Sequence, residues 1–299
     1  MSFRERALSF ACEGEALFGI LAEPAAQTAA HAPAAPSQTG VLVIVGGPQY
    51  RVGSHRQFVL LSRALATAGH RVLRFDYRGM GDSSGTPRDF LGASPDIAAA
   101  LDAFAAACPD VKRFVLWGLC DAASAALLYC DQRDDPRVAG LCLLNPWVRS
   151  EVGLARAQVK HYYLQRLRQG EFWRKLLRGG VARSAISELF GKLRLARQAS
   201  RASSADDSAP FQARMARAWR SMQARPLLLI LSGRDLTAKE FIDHAATDAQ
   251  WQGLLGQPQV RRVDLPAADH TFSSADWRAD VEQHCLTWLA GLAALTHVA

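Results

Sequence analysis

Phe114-Val-Leu-Trp-Gly-Leu-Cys-Asp-Ala-Ala-Ser124 decides the reading of this chain. Phe114 to Trp117 is a short apolar run of the kind that forms a buried strand, and a helical stretch from Ala122 to Cys130 follows it. Between them Gly118 and Ala122 flank Cys120, so the backbone can close into a sharp turn with the thiol at its apex. A helix starting just past the apex turns its free N–H groups and positive dipole end toward the sulfur, an arrangement that promotes the nucleophilic form of a cysteine. The same turn places the Asp121 N–H where it can stabilise an oxyanion formed when sulfur attacks a carbonyl. Taken alone the turn is weak support, because buried cysteines most often only pack.

Two downstream strand ends strengthen it. Pro226-Leu-Leu-Leu-Ile-Leu231 runs into Ser232-Gly-Arg-Asp235, and Val260-Arg-Arg-Val-Asp-Leu265 runs into Pro266-Ala-Ala-Asp-His270. An acid and a histidine past the carboxyl ends of parallel strands converge on one sheet edge with Cys120. Cys120, Asp235 and His270 are then nucleophile, orienting acid and base. Asp264 is a poorer acid because it lies inside a strand, and Asp269 because it is adjacent to the histidine. Ser124 falls one helical turn beyond the apex and is expected to pack or to bond a carbonyl.

Further buried strands are expected at Val41 to Val45, Arg71 to Phe75 and Gly140 to Leu144, with helices at Arg56 to Ala68 and Pro95 to Ala107. Strand and helix in alternation predict a mostly parallel sheet covered on both faces. Arg6 to Phe10 and Ala16 to Leu21 predict a hairpin turning near Glu13-Gly14, and the Ala- and Pro-rich tract from Ala25 to Gly40 an exposed loop. The segment Gly79-Met-Gly-Asp-Ser-Ser-Gly85 has the wrong spacing for a dinucleotide fingerprint and reads as a turn-rich loop.

Charge is unevenly spread. The chain carries a formal +7, yet Arg149 to Met222 holds sixteen Lys or Arg against five Asp or Glu. There Tyr162, Tyr163, Leu164, Leu167, Phe172, Trp173, Leu176 and Leu177 interleave with basic residues, which predicts an amphipathic helix. A polar stretch from Ala199 to Pro210 and a last helical run to Met222 lead back to the sheet. The expected division is a core in two parts, 1–146 and 225–299, around a basic helical cap at 147–224. That cap surface is a solvated face, a peripheral contact with anionic lipid, or a receiver of an acidic substrate.

The 299 residues, 49% hydrophobic and 21% charged, exclude disorder and collagen-like repeats. No apolar run approaches a membrane span, and Met1 to Phe10 lacks a signal-peptide h-region, so a cytoplasmic location is expected. Six cysteines at 12, 108, 120, 130, 142 and 285 form no Cys-x-x-Cys pair, and the histidines lack ligand spacing. Neither metal nor cofactor is expected, and no nucleic-acid signature accompanies the arginines.

The order Cys120, Asp235, His270 at successive strand ends resembles the α/β-hydrolase fold. Arg74-Phe-Asp-Tyr-Arg-Gly-Met-Gly-Asp-Ser83 is similar to that family's loop after the fourth strand, and Gly46-Gly-Pro-Gln-Tyr50 follows the third strand, where the family completes its oxyanion hole. Together with Gly-Leu-Cys-Asp-Ala-Ala these stretches resemble the hydrolase 1 proteins associated with exosortase A systems, whose context is exopolysaccharide production and protein sorting. The resemblance implies oxyanion donors at Asp121 and in the loop at 47 to 50, with Gly47 and Gln49 as candidates; Pro48 has no N–H, so if it holds the usual position the donor shifts to Gln49 or Tyr50. Two positions depart from the common pattern, Cys120 in place of serine and Ala122 in place of glycine. Cysteine at this turn also occurs in dienelactone hydrolases and bile-acid acyltransferases. Tyr50, His55 and Trp147 are candidate pocket residues.

Three functions stay open at this level: hydrolysis of an ester or thioester through a covalent acyl-enzyme, transfer of the acyl group to another acceptor, and a non-catalytic scaffold that binds a membrane or protein partner through its cap. Oligomeric state is not legible in the sequence.

Overall fold

A computed structural model of the chain describes residues 2–25, 37–47, 49–149, 209–223 and 225–295. The cap helix around Tyr162 to Leu177, the polar stretch to Ser208, most of the Ala- and Pro-rich tract and Pro48 lie outside the described residues.

Among the described residues eight strands form one sheet in the order β1-β2-β4-β3-β5-β6-β7-β8. A long hairpin opens the chain, β1 (Phe3–Cys12) paired antiparallel with β2 (Glu15–Pro24). Its turn is the expected Glu13-Gly14, both with positive φ. β2 then pairs antiparallel with β4 (Val72–Phe75). All later pairings are parallel: β4 with β3 (Thr39–Ile44), β3 with β5 (Arg113–Leu119), β5 with β6 (Val138–Leu144), β6 with β7 (Leu227–Ser232) and β7 with β8 (Val260–Leu265).

Strands buried on both faces need apolar side chains at every position, which is why β3 and β7 read as continuous apolar runs. Leu42 and Ile44 face one core, packed by α2 (Ser94–Ala107), α3 (Asp121–Gln132), α4 (Phe211–Ser221) and α5 (Leu236–Thr247). Val41, Val43 and Val45 alternate to the other face, covered by α1 (Gln57–Thr67) and α6 (Ala275–Leu295). On α4, Met215 and Trp219 are fully buried, with Trp219 edge-on to Trp251. Each buried side chain of methionine size contributes about 1.5 to 3 kcal/mol.

β8 differs from the buried strand expected. Arg261, Arg262 and Asp264 are exposed, because β8 is the sheet edge and its charged side chains reach water, where Arg262 pairs with Asp264. The glycine-rich loop at 79–85 opens no helix, as the spacing implied.

β3 lies between β4 and β5, so successive crossovers leave it in opposite directions. The gap outside the carboxyl ends of β3 and β5 is the place where such sheets bind ligands. Gly46 and Gly47 follow one strand there, and Cys120 follows the other.

Candidate active site

Cys120 has φ 63° and ψ −124°, a conformation costly for any residue other than glycine. Hydrogen bonds hold it there. Its N–H donates to the Leu144 carbonyl at 2.8 Å, and its own carbonyl accepts from Ala123 (3.1 Å), Ser124 (3.3 Å) and Trp147 (3.2 Å). Close approach of strand and helix completes the turn. A Cβ added at Gly118 would lie 2.5 Å from the Ala122 carbonyl carbon, a contact that only backbone movement relieves. Gly118→Ala is therefore expected to displace the elbow and remove most thiol reactivity; alkylation of Cys120 at the wild-type rate would contradict this. Ala122 is fully buried at the same approach.

Ser124 bonds a carbonyl, though not one on its own helix. Its Oγ donates to Trp147 O at 2.6 Å and ties the loop after β6 to the elbow.

Asp235 caps α5, accepting the Thr237 and Ala238 N–H groups at 3.0 and 3.1 Å. Its Oδ2 also lies 2.9 Å from His270 Nδ1. Burial pushes this carboxyl up, but the His270 hydrogen bond and charge and the two helix N–H groups outweigh it, so Asp235 titrates below the usual carboxylate range. Asp269 faces elsewhere, accepting from Thr271 N–H (3.2 Å), Ser273 N–H (3.0 Å) and the Ser273 hydroxyl. Asp264 is taken up by Arg262.

His270 has Asp235 at Nδ1 on one side and lines the same cavity as Cys120. These two raise its pKa to about 10, Asp235 first, against the opposing effect of burial. The folded value exceeds the ordinary unfolded one near 6.5. Its contribution to stability is thus complete below about pH 6.5 and disappears as pH rises through about 10. The side chain is 36% exposed, so screening keeps the contribution small. The urea-midpoint difference between wild type and His270→Gln should narrow between pH 7 and 10.5; a constant difference would contradict the assignment.

A network that the sequence did not disclose fixes the histidine loop. Asn145, fully buried with φ 44°, donates through Nδ2 to Ser232 Oγ (2.9 Å) and to the His270 carbonyl (3.3 Å), and its Oδ1 accepts the Ser232 N–H (2.9 Å). Ser232 Oγ in turn donates to the Asp269 carbonyl at 2.9 Å. The Asn145-Pro146 dipeptide signals a turn, but nothing local in the chain points to these distant partners.

A cavity of about 380 Å³ is lined by Cys120, His270, Asp121, Trp147 and Gln49, with Phe58 and Phe90 among its apolar walls. A neighbouring cavity of about 600 Å³ is lined by Tyr50, Tyr77, Met80 and Phe90, and shares Gly47, Gln49 and Asp121 with the first. Trp147 lines the first cavity and Tyr50 the second. His55 is not among the described lining residues; it lies in a short 3-10 turn, Ser54–Arg56, where its charge acts on Asp269. Of the expected oxyanion groups, the Gly47 N–H donates to Asp121 Oδ2 at 2.8 Å, and the Gln49 side chain accepts the Ser54 N–H at 3.2 Å. Among the described residues no cluster of three or more His, Cys, Asp or Glu side chains could hold a metal ion.

A mostly parallel sheet with a strained residue between β5 and α3, and with an acid and a histidine after the next strands of the same edge, defines the α/β-hydrolase class of fold. Residues 41–283 match the Alpha/beta hydrolase family, and the chain belongs to that family.

Solved structures of the same architecture include the esterase Pf2001 of Pyrococcus furiosus, 17% identical over 97% of this chain and 91% of that one, with a TM-score of 0.61. Est1E of Butyrivibrio proteoclasticus, solved with ferulic acid bound, is 14% identical over 95% and 99%, with a TM-score of 0.56. A thermophilic esterase of Thermogutta terrifontis, solved with malate bound, is 18% identical over 96% and 99%, with a TM-score of 0.54. At these identities the likeness is one of fold. No curated protein matches the chain. No helix among the described residues is long and apolar enough to cross a membrane.

Proposed function

We propose that the protein hydrolyses an ester or thioester through a covalent acyl-enzyme on Cys120. The observation that carries this reading is the His270 imidazole, held by the Asp235 carboxylate at 2.9 Å, on the wall of the cavity that Cys120 also lines. His270, with its raised pKa, already holds the Cys120 proton on Nε2 as sulfur attacks the substrate carbonyl carbon and the carbonyl electron pair moves onto oxygen. As the tetrahedral intermediate collapses, the bond to the leaving alcohol or thiol breaks and His270 supplies its proton. Water then gives a proton to the imidazole and its oxygen attacks the thioester, which releases the acid and returns the sulfur to its starting state. Asp235 holds the ring with Nδ1–H toward itself, leaving Nε2 for these transfers. The N–H groups of Asp121 and of the 47–50 loop are the assigned donors to the oxyanion.

The same acyl-enzyme can deliver its acyl group to an amine or alcohol, and an exosortase-linked exopolysaccharide system is the context that the sequence resemblance favours. The test is to incubate the protein with p-nitrophenyl acetate and a short acyl thioester and to weigh it intact. An acetyl adduct in wild type that is missing in Cys120→Ala supports covalent catalysis; turnover that survives Cys120→Ala rules it out. Absence of both adduct and turnover across chain lengths supports a binding scaffold, and acceptor-dependent product separates transfer from hydrolysis.

A further inference from the structure

Asp121 brings a side chain to this site as well as an N–H. Its Oδ2 accepts the Gly47 N–H at 2.8 Å. Burial pushes its carboxyl up, while the N–H groups of Gly47, Ala122 and Asp121 itself favour the charged form. Gly47 follows β3 and Asp121 opens α3, the two places where this fold keeps its oxyanion donors. A carboxylate seated on the Gly47 N–H presents to it the kind of negative oxygen that a tetrahedral intermediate would otherwise present. The seat depends on glycine, because a Cβ at residue 46 would lie 2.0 Å from Asp121 Oδ1.

A second observation lies on the neighbouring cavity. Tyr77 is 3% exposed, its hydroxyl is buried without a hydrogen-bond partner, and it lines the 600 Å³ cavity together with Asp121. Asp121 Oδ1 is likewise buried without a partner. Burial first, then the Asp121 and Asp96 charges, hold the Tyr77 phenol well above its ordinary range. Leaving a buried donor and a buried acceptor both unpaired on one cavity is costly.

Resting on the reading of Cys120 as nucleophile, we infer that Asp121 is a positioning residue with two seats: its carboxylate occupies the oxyanion donors until a substrate carbonyl displaces it, and then turns to the Tyr77 hydroxyl. Asp121 thereby couples release of the Gly47 N–H to arrival of substrate. Bulk at residue 46, or loss of the Tyr77 hydroxyl, disturbs one seat without touching sulfur or imidazole.

The test compares wild type, Asp121→Ala, Tyr77→Phe and the double variant on p-nitrophenyl acetate. Asp121→Ala is expected to raise kcat/KM about tenfold by freeing a donor. Tyr77→Phe is expected to lower it several-fold with Asp121 present, and that loss should vanish in the Asp121→Ala background. A slower Asp121→Ala enzyme, or an equal Tyr77→Phe loss in both backgrounds, overturns the inference. Hydrogen exchange at the Gly47 amide gives a readout independent of turnover: Asp121→Ala should accelerate it about tenfold, and unchanged exchange overturns the inference whatever the kinetics. If no protein turns over, wild type included, the reading of Cys120 fails, and Gly47 exchange still decides where the carboxylate sits.

Discussion

His270→Ala is expected to lower kcat/KM for a short p-nitrophenyl ester by about 10³-fold or more, and adding Cys120→Ala to it should lower the rate little further. General acid–base catalysis alone contributes about 10² to 10⁴. In the proposed mechanism the same imidazole holds the thiol proton and later gives it to the leaving group, so both halves of the reaction depend on it. Side chains that act as one unit show strongly non-additive losses. The geometry makes this expectation specific. Cys120 and His270 line one cavity and Asp235 holds the far side of the ring, so a variant lacking the ring keeps a sulfur without its proposed base. Steady-state kinetics on the two single variants and the double variant provide the check. Losses that multiply would mean that sulfur and imidazole act separately, and the covalent mechanism would then need another base.

Asp235→Asn is the second large effect: a drop of about 10² to 10⁴ in kcat with the fold retained. Asp235 has two duties that this substitution separates. As N-cap of α5 it accepts two helix N–H groups, and asparagine caps about as well as aspartate, so thermal stability should change little. Toward His270 the replacement matters, because an amide lacks the charge that raises the imidazole pKa, and it can offer a donor N–H to Nδ1 and favour the wrong tautomer. The expected signature is a retained melting temperature, a reduced kcat and a His270 titration moved from about 10 toward its ordinary range. Full activity in Asp235→Asn would place the acid elsewhere, and Asp269 would be the next residue to replace. Loss of the fold would instead mean that capping is the main duty of Asp235.

Much of the architecture was legible in the chain because it follows from local chemistry. The apolar runs of β3, β5 and β7 are short and end in turn residues, and helical stretches separate them, which is sufficient to specify a parallel sheet. Gly118, Cys120 and Ala122 announced a tight turn, because small residues are needed where strand and helix backbones approach. Asp235 and His270 could be marked as strand-end residues for the same reason: where a strand stops is written in its own composition. The edge position of β8 was less legible, since a run of six residues does not say whether a neighbour covers it.

By itself the sequence determined the order of elements, the residue at the elbow and the chain positions from which an acid and a base could come. Folding decided which atoms meet. The 2.9 Å contact between His270 and Asp235 spans 35 residues, and the Asn145 bonds to Ser232 and His270 span 87 and 125. The Asp121 carboxylate on Gly47 spans 74. Hydrogen bonds depend on angstroms and degrees, and for residues so far apart these are set by strand register, helix packing and the hand of each crossover, quantities that no local pattern of residues encodes.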